Sequence, residues 1–170
     1  MTAWTPLDPP RIERRSGFLL AGIRRHYKLT HDLATIMQGV SRQWLGFRPR
    51  KREIVRAVSP DTYGVCLRMR EGDAGIDYFC GMQVPDSAQL PHDLVTLSIP
   101  PLRYAIFRHT GPKSLLPNVY FTIFGSCLAE AGVAPAHASA GAPEFIELFD
   151  QQYDVKTETG GPVILVPVQD

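Results

Sequence analysis

The stretch LRYAIFRHTGPKSLLPNVYFTIFGSCLAEAG, residues 102–132, indicates the fold class. Its first nine residues, 102–110, are typical of a strand, and a Gly-Pro pair then breaks the run. Apolar side chains at helical spacing follow and stop at Gly132, as expected where a glycine closes a helix. Two strand-like runs, residues 144–150 and 162–168, come after the helix. This half of the chain is therefore predicted to be a β-α-β-β unit.

The same order of elements occurs upstream. Residues 17–27 are typical of a strand, and Thr30 is a candidate N-cap for a helix that ends near Gly46. The apolar stripe of this helix consists of Leu33, Ile36, Met37, Val40 and Trp44. A polar loop at 47–53 and two strands at 63–70 and 77–85 then complete the unit.

The duplication predicts an α+β fold with pseudo-twofold symmetry. We expect a leader at residues 1–13 and a single domain at 14–170. The first module covers about residues 14–90 and the second about 95–168, and a proline-rich connector at 84–101 links them. Antiparallel sheets and two main helices would leave a cleft where the modules meet, and ligands commonly occupy such places.

Composition excludes several classes of protein. The chain has 170 residues and a net charge of +1, which argues against a dedicated nucleic-acid binder and against an acidic disordered chain. Its longest apolar run, residues 18–23, is too short to span a bilayer, and its first 15 residues do not form a secretory signal. We therefore expect a cytoplasmic protein without membrane association.

The three cysteines show no CxxC spacing. If Arg70 pairs with Ile76 in the predicted hairpin, Cys66 faces Cys80. Two reduced, packed thiols are favoured over a disulfide at this position, because a cytoplasmic chain keeps its thiols reduced.

The strand PEFIELFD, residues 143–150, carries the clearest candidate site. Alternation places Phe145, Glu147 and Phe149 on one face. Burial raises the pKa of a carboxyl group, and a bound cation would offset the cost of burying its charge. The flanking rings would add cation–π attraction. The alternative is a solvated glutamate on an edge strand, or one that pairs with an arginine elsewhere.

These segments resemble the GyrI-like family, which comprises small-molecule-binding domains related to the DNA gyrase inhibitory protein and to effector domains of AraC-type and MerR-type regulators. In the second half the matching residues are Tyr104, Ala105, Phe107, His109, Gly111, Pro112, Glu147, Phe149 and Pro167. In the first half they are Ala21, Gly22, Trp44, Tyr63, Gly64, Val65, Asp77, Tyr78 and Gly81.

The resemblance implies two SHS2 modules with a hydrophobic cleft in which Glu147 meets cationic aromatic compounds. The candidate ligand-binding residues are Glu147, Phe149, Phe145, Trp44, Tyr78, Tyr104 and Phe121. For the last four, packing in the core is the alternative. The related regulators carry an N-terminal helix-turn-helix, which 13 polar residues cannot supply. We therefore expect a stand-alone binding protein that does not contact DNA.

Three functions remain open at this point. The first is a cytoplasmic binder of amphipathic, cationic aromatic compounds. The second, also implied by the resemblance, is a hydrolase of strained cyclopropane-type toxins that uses Glu147 as a general base. The third is a modulator that interacts with DNA gyrase or with a transcription regulator.

No cofactor is expected, because the chain has no GxSxG, GxGxxG or GxxxxGK motif. A metal site is not expected either, because the histidines show no HxH or HxxxH spacing. They are His26, His31, His92, His109 and His137. We expect His109, which precedes the Gly-Pro turn, to bond to the backbone rather than to act as a base.

Overall fold

The computed structural model describes residues 7–28, 32–68, 75–137 and 141–170. The strands are β1 (Arg11–Arg15), β2 (Phe18–Lys28), β3 (Thr62–Arg68), β4 (Gly75–Val84), β5 (Val95–Ile99), β6 (Leu102–Arg108), β7 (Phe145–Phe149) and β8 (Val163–Pro167). The helices are α1 (Leu33–Phe47), α2 (Leu116–Thr122) and α3 (Leu128–Glu130). A π turn (Ile123–Cys127) joins α2 to α3, and 3₁₀ turns lie at Arg48–Glu53 and Lys113–Leu115.

The strands form one antiparallel sheet in the order β1-β6-β8-β7-β3-β4-β2-β5. The first β-α-β-β unit supplies β2, β3 and β4, and the second supplies β6, β7 and β8. The two units meet where β3 pairs with β7, in the middle of the sheet. The predicted α+β class and its duplicated order are confirmed, and the two sheets are joined into one.

The outer strands cross over between the units. Two residues separate β1 from β2, and two separate β5 from β6. Nevertheless β1 pairs with β6 and β5 pairs with β2, at opposite ends of the strand order. Such short links require the sheet to curl until its two ends come close together.

This crossing corrects two predictions. Residues 11–13, expected to belong to a leader, lie in β1, and the proline-rich connector contains β5. Both strands lie at the edges of the sheet and are short, and RIERR in β1 is charged rather than alternating. Their pairing depends on backbone hydrogen bonds, which leave little signal in the sequence.

The curled sheet packs on itself on one face and against helices on the other. Among the residues that the structure describes, the inner face forms a core without any helical residue: Leu20, Val65, Phe79, Ile99, Tyr104, Ile106, Ile146, Val163 and Leu165. On the outer face, α1 covers the first unit through Trp44 and Phe47. The helical segment from α2 to α3 covers the second unit through Val119, Ile123 and Leu128. The strands at the junction, β3 and β7, therefore lie between the two helices.

Several local predictions need correction. Cys66 lies opposite Tyr78 rather than Cys80, because β3 and β4 pair two residues out of the predicted register. Both thiols are free and buried. The N-cap of α1 is Asp32, whose carboxylate accepts a hydrogen bond of 2.7 Å from the Thr35 amide. Thr30, the predicted cap, lies outside the described residues.

The expected polar loop at 47–53 is also different, because Arg48–Glu53 forms a 3₁₀ turn. No helix in the described part of the chain combines the length and apolar character that crossing a bilayer requires.

Candidate functional site

A cleft of about 280 Å³ lies between α1 and α2, above the junction of β3 and β7. One wall comes from α1, including Ile36, Val40 and Trp44. Leu116 and Tyr120 of α2 form the opposite wall. Because the walls are mainly apolar, the cleft suits a hydrophobic ligand.

Glu147 lies at the floor of this cleft and is only 9% exposed. The Tyr78 hydroxyl donates a hydrogen bond of 2.7 Å to Glu147 Oε2, and the Tyr120 hydroxyl donates one to Oε1. The indole N–H of Trp44 in turn donates to the Tyr78 hydroxyl oxygen at 3.1 Å. These donors fix the carboxylate without neutralising its charge.

Aromatic rings flank the carboxylate on both sides. Phe145 stacks on Tyr120, with ring centroids 4.5 Å apart and an interplanar angle of 27°. Phe149 meets Trp44 edge to face at 5.3 Å. The predicted alternation of Phe145, Glu147 and Phe149 on one strand face is therefore observed, and all three side chains line the cleft.

The electrostatics of the site follow from its burial. Burial raises the pKa of Glu147, whereas the hydrogen bonds from Tyr120 and Tyr78 and the charge of Lys113 act in the opposite direction. The pKa values of Tyr78 and Tyr120 are raised by their own burial and by the nearby carboxylate. Both phenols therefore remain protonated donors.

Gly64 makes room for this network. It lies directly opposite Glu147 in the pairing of β3 with β7. A Cβ atom at Gly64 would overlap the Tyr78 hydroxyl and would lie 2.9 Å from Glu147 Oε2. A glycine is therefore required here because the side chains of Tyr78 and Glu147 leave no room for a Cβ atom, and not because of an unusual backbone angle.

Gln43, on α1, holds the strand that carries Tyr78. Its side-chain amide is buried and donates hydrogen bonds to the carbonyl oxygens of Tyr78 at 2.9 Å and Ile23 at 3.0 Å. Its own oxygen accepts a bond of 2.7 Å from the Tyr27 hydroxyl. Gln43 was not predicted from the sequence, because a polar residue on a helix gives no signal of burial.

The structure brings five of the seven predicted residues to the cleft and separates the other two. Those that line it are Glu147, Phe145, Phe149, Trp44 and Tyr78. Tyr104 is wrongly predicted, because its side chain points into the inner core of the curled sheet. Phe121 is also wrongly predicted, because it is 82% exposed on α2. Its neighbour Tyr120 lines the cleft instead, and its place on the apolar stripe with Leu116 was the available signal.

Other candidate groups have structural roles. His109 is buried, and its Nε2 lies 2.9 Å from the carbonyl oxygen of Pro112, which confirms the expected backbone bond. Burial raises the pKa of the Cys66 thiol to about 12, so this group in the cleft wall stays protonated. Among the described residues, no cluster of three or more His, Cys, Asp or Glu side chains could hold a metal ion.

The chain is 27% identical over 144 residues to the transcriptional regulator BrlR of Pseudomonas aeruginosa, a match that covers 84% of this chain and 48% of that protein. The chain thus spans about half the length of this curated relative.

Two solved structures share the fold. SAV2435 bound to tetraphenylphosphonium has a TM-score of 0.70 at 16% identity, covering 94% of this chain and 93% of that one. The C-terminal domain of EcmrR has a TM-score of 0.65 at 13% identity, covering 98% of this chain and 99% of that one. The sequence pattern of the GyrI-like small molecule binding domain matches residues 8–169, so the chain belongs to this family.

Proposed function

We propose that the cleft binds amphipathic, cationic aromatic compounds, with Glu147 as the counter-ion. The observation that carries this proposal is a buried carboxylate whose hydrogen-bond donors are neutral. The described residues place two tyrosine hydroxyls on Glu147 and form no ion pair with it.

Such an arrangement favours a cationic ligand for a physical reason. A carboxylate removed from water is costly unless an opposite charge lies close to it. A cation that enters the cleft offsets this cost, and the faces of Tyr120, Phe145 and Phe149 attract it further. Burial of the apolar part of the ligand adds about 25 cal/mol for each Å².

The likeness to SAV2435 supports the class of ligand. The structure of that protein is described as bound to tetraphenylphosphonium, a cation whose charge lies within four phenyl rings. The present chain has the same fold, and its own cleft lies between two helices. Tetraphenylphosphonium is therefore a suitable first probe.

The test compares Glu147→Gln with the wild type by isothermal titration calorimetry. The substitution keeps the size of the side chain and removes its charge. For tetraphenylphosphonium we expect affinity to fall about tenfold or more, as for loss of a charge contact in a desolvated site. For the neutral triphenylphosphine oxide we expect less than a twofold change. Equal losses for both compounds would contradict the role of charge.

Glu130→Gln serves as the matched control. Glu130 is exposed on α3, so this variant makes the same change of net charge at a distance from the cleft. It should bind both compounds like the wild type. A loss of cation affinity in Glu130→Gln equal to that in Glu147→Gln would assign the effect to net charge alone.

A hydrolase of strained cyclopropane-type toxins is the second candidate, because a carboxylate with a raised pKa is suited to general-base catalysis. Two observations support this hydrolase function less well than they support ligand binding. Both oxygens of Glu147 already accept hydrogen bonds, and the Cys66 thiol in the wall is protonated at neutral pH. Incubation with a cyclopropane electrophile and mass spectrometry distinguishes the two: ring-opened product that Glu147→Gln no longer forms would establish the hydrolase.

A further inference from the structure

A second cavity, of about 410 Å³, lies beside the cleft. Trp44, Phe149 and Lys113 line both spaces, so the two are adjacent and share the edge-to-face ring pair. The second cavity differs from the first in chemistry, because Arg48 and Lys51 line it together with Lys113. We call it the basic annex.

The 3₁₀ turn at Arg48–Glu53 explains why two cations face the annex. Side chains three residues apart lie above one another in a 3₁₀ turn, which places Arg48 and Lys51 on the same side. Arg50 and Glu53 are likewise three residues apart and bond to each other on a different side, at 2.7 Å. The turn thus separates its paired charges from the two that line the annex.

Neighbouring acidic groups do not neutralise the annex. Asp150, which also lines it, is occupied by Arg108, whose Nη2 lies 2.7 Å from Asp150 Oδ2. Lys113 has Glu158 at 3.7 Å. Within the described residues, Arg48 and Lys51 form no ion pair. The annex therefore carries an excess of positive charge beside the acidic floor of the cleft.

We propose that the basic annex receives an anionic group of the same ligand whose cation meets Glu147, so that the ligand class is zwitterionic aromatic compounds. The anion is a carboxylate, sulfonate or phosphate. This inference rests on the proposed function, because it assumes that the cation occupies the cleft.

Three features suit the annex to an anion on an aromatic frame. Arg48 and Lys51 provide two cationic donors that form no ion pair with the described residues. Thr62 and Tyr153, whose side chains carry neutral hydroxyl donors, also line the annex. Tyr153 also packs edge to face on Phe149 at 4.8 Å, so the aromatic surface continues from the cleft into the annex. A ligand whose aromatic system lies along Phe149 can therefore place its cation in the cleft and its anion in the annex.

Rhodamine B and its ethyl ester form a matched pair of probes. Both carry the same aromatic cation, but rhodamine B has a free carboxylate that the ester lacks. Affinity and stoichiometry are measured by calorimetry for the wild type, Glu147→Gln, Lys51→Met, Arg48→Met and Arg52→Met. Arg52 is the matched control, because it lies in the same turn and is exposed outside the annex. Thermal melting confirms that each variant is folded.

We expect one molecule of either dye to bind per chain. Lys51→Met and Arg48→Met should each weaken rhodamine B about fivefold, as for loss of a partly exposed ion pair, and weaken the ester less than twofold. Arg52→Met should leave both affinities unchanged. Because Lys51→Met and Arg48→Met both remove a cation from the annex, either variant alone still tests the proposal if the other does not fold.

Different failures have different meanings. If the ester binds and requires Glu147, but rhodamine B is insensitive to both Lys51→Met and Arg48→Met, the inference about the annex is wrong and the proposed function stands. Equal weakening of the two dyes, or the same weakening by Arg52→Met, overturns it as well. If neither dye binds, or if Glu147→Gln leaves the ester unaffected, the proposed function is overturned and this inference with it.

Discussion

Strands β3 and β7 are the second strands of the two β-α-β-β units, and they pair with each other at the middle of the sheet. Their contributions to the cleft differ, because β7 supplies a charged side chain and β3 supplies the space for it. At one paired position β3 has Gly64, which has no side chain, and β7 has Glu147. The carboxylate and its Tyr78 partner occupy the space that a side chain on Gly64 would need. The site therefore depends on a difference between the two units, although the fold repeats.

This difference shows how a duplicated fold acquires a single site. A symmetric pair of glutamates at the junction would place like charges side by side in a buried space, at a high cost. A symmetric pair of glycines would leave a cleft without charge. One glycine and one glutamate give a carboxylate with room for two hydroxyl donors, which come from different units: Tyr78 from β4 and Tyr120 from α2.

Gly64→Ala should have the largest effect, because it removes the difference in side-chain size between the paired positions of β3 and β7. The new methyl group would overlap the Tyr78 hydroxyl and crowd Glu147. Overpacking together with loss of a hydrogen bond to a buried charge predicts about 3 kcal/mol lower free energy of unfolding and a Tm about 10 °C lower. Chemical denaturation and calorimetry measure these changes, and binding of tetraphenylphosphonium should fall with them.

Gly46→Ala is the control for this prediction. Beyond its own helix, a Cβ atom there would meet none of the described residues within 4 Å, and the position lies within α1, so alanine should leave stability unchanged or raise it by up to about 1 kcal/mol. In the double variant Gly64→Ala/Tyr78→Phe, removal of the hydroxyl relieves the closest contact and leaves those with Tyr78 Cζ at 2.8 Å and Glu147 Oε2 at 2.9 Å, so the combined loss should be smaller than the sum of the two single losses. If the two single losses simply add in that double variant, the steric explanation is contradicted.

Tyr78→Phe and Tyr104→Phe test whether a buried tyrosine hydroxyl has different effects on the two faces of the sheet. Tyr78 lines the cleft, and Tyr104 lies in the inner core. The Tyr78 hydroxyl bonds to both Glu147 and Trp44, so its removal should cost about 2 kcal/mol of unfolding free energy and weaken cation binding. The buried Tyr104 hydroxyl has no hydrogen-bond partner among the described residues, so Tyr104→Phe should be neutral or stabilising. Equal losses from the two variants, measured by urea denaturation, would contradict this assignment.

Glu147 should give stability and cation binding opposite dependences on pH. Its pKa is raised in the folded chain, so the folded state holds its proton more tightly than the unfolded state does. As pH rises from 4.5 through that raised pKa, the free energy of unfolding should therefore fall. Over the same range affinity for tetraphenylphosphonium should rise, because the carboxylate becomes charged. Asp77 and Asp150, whose pKa values are lowered, act below this range.

Denaturation and calorimetry between pH 4.5 and 8 measure both slopes, and the corresponding measurements on Glu147→Gln supply the control. That variant should lose the pH dependence of cation affinity in this range. A wild-type affinity that stays constant over the range would show that Glu147 does not change its charge there.

The sequence predicted the repeated units and the face of β7 because both leave periodic patterns. Phe145, Glu147 and Phe149 alternate within one strand, so their common direction requires no knowledge of the rest of the fold. The role of Gly64 could not be derived in this way, because it depends on pairing with Glu147, 83 residues further along the chain. Gln43 and β1 were not predicted for related reasons: the Gln43 side chain bonds to carbonyl oxygens of two strands, and β1 pairs through its backbone with β6, so both roles depend on residues distant in the sequence.

Cys66→Ala should have the smallest effect and completes the comparison between β3 and β7. Cys66 faces the cleft opposite Phe145, but its thiol pKa of about 12 keeps it neutral at working pH, so the first unit adds no charge to the junction. We expect about 1 kcal/mol lower stability, from the lost sulfur contacts, and less than a twofold change in tetraphenylphosphonium affinity. Calorimetry at pH 7 and pH 9 tests this. If wild-type affinity rises between these two values and Cys66→Ala abolishes the rise, a thiolate in the cleft contributes to binding, and the charge at the junction does not come from β7 alone.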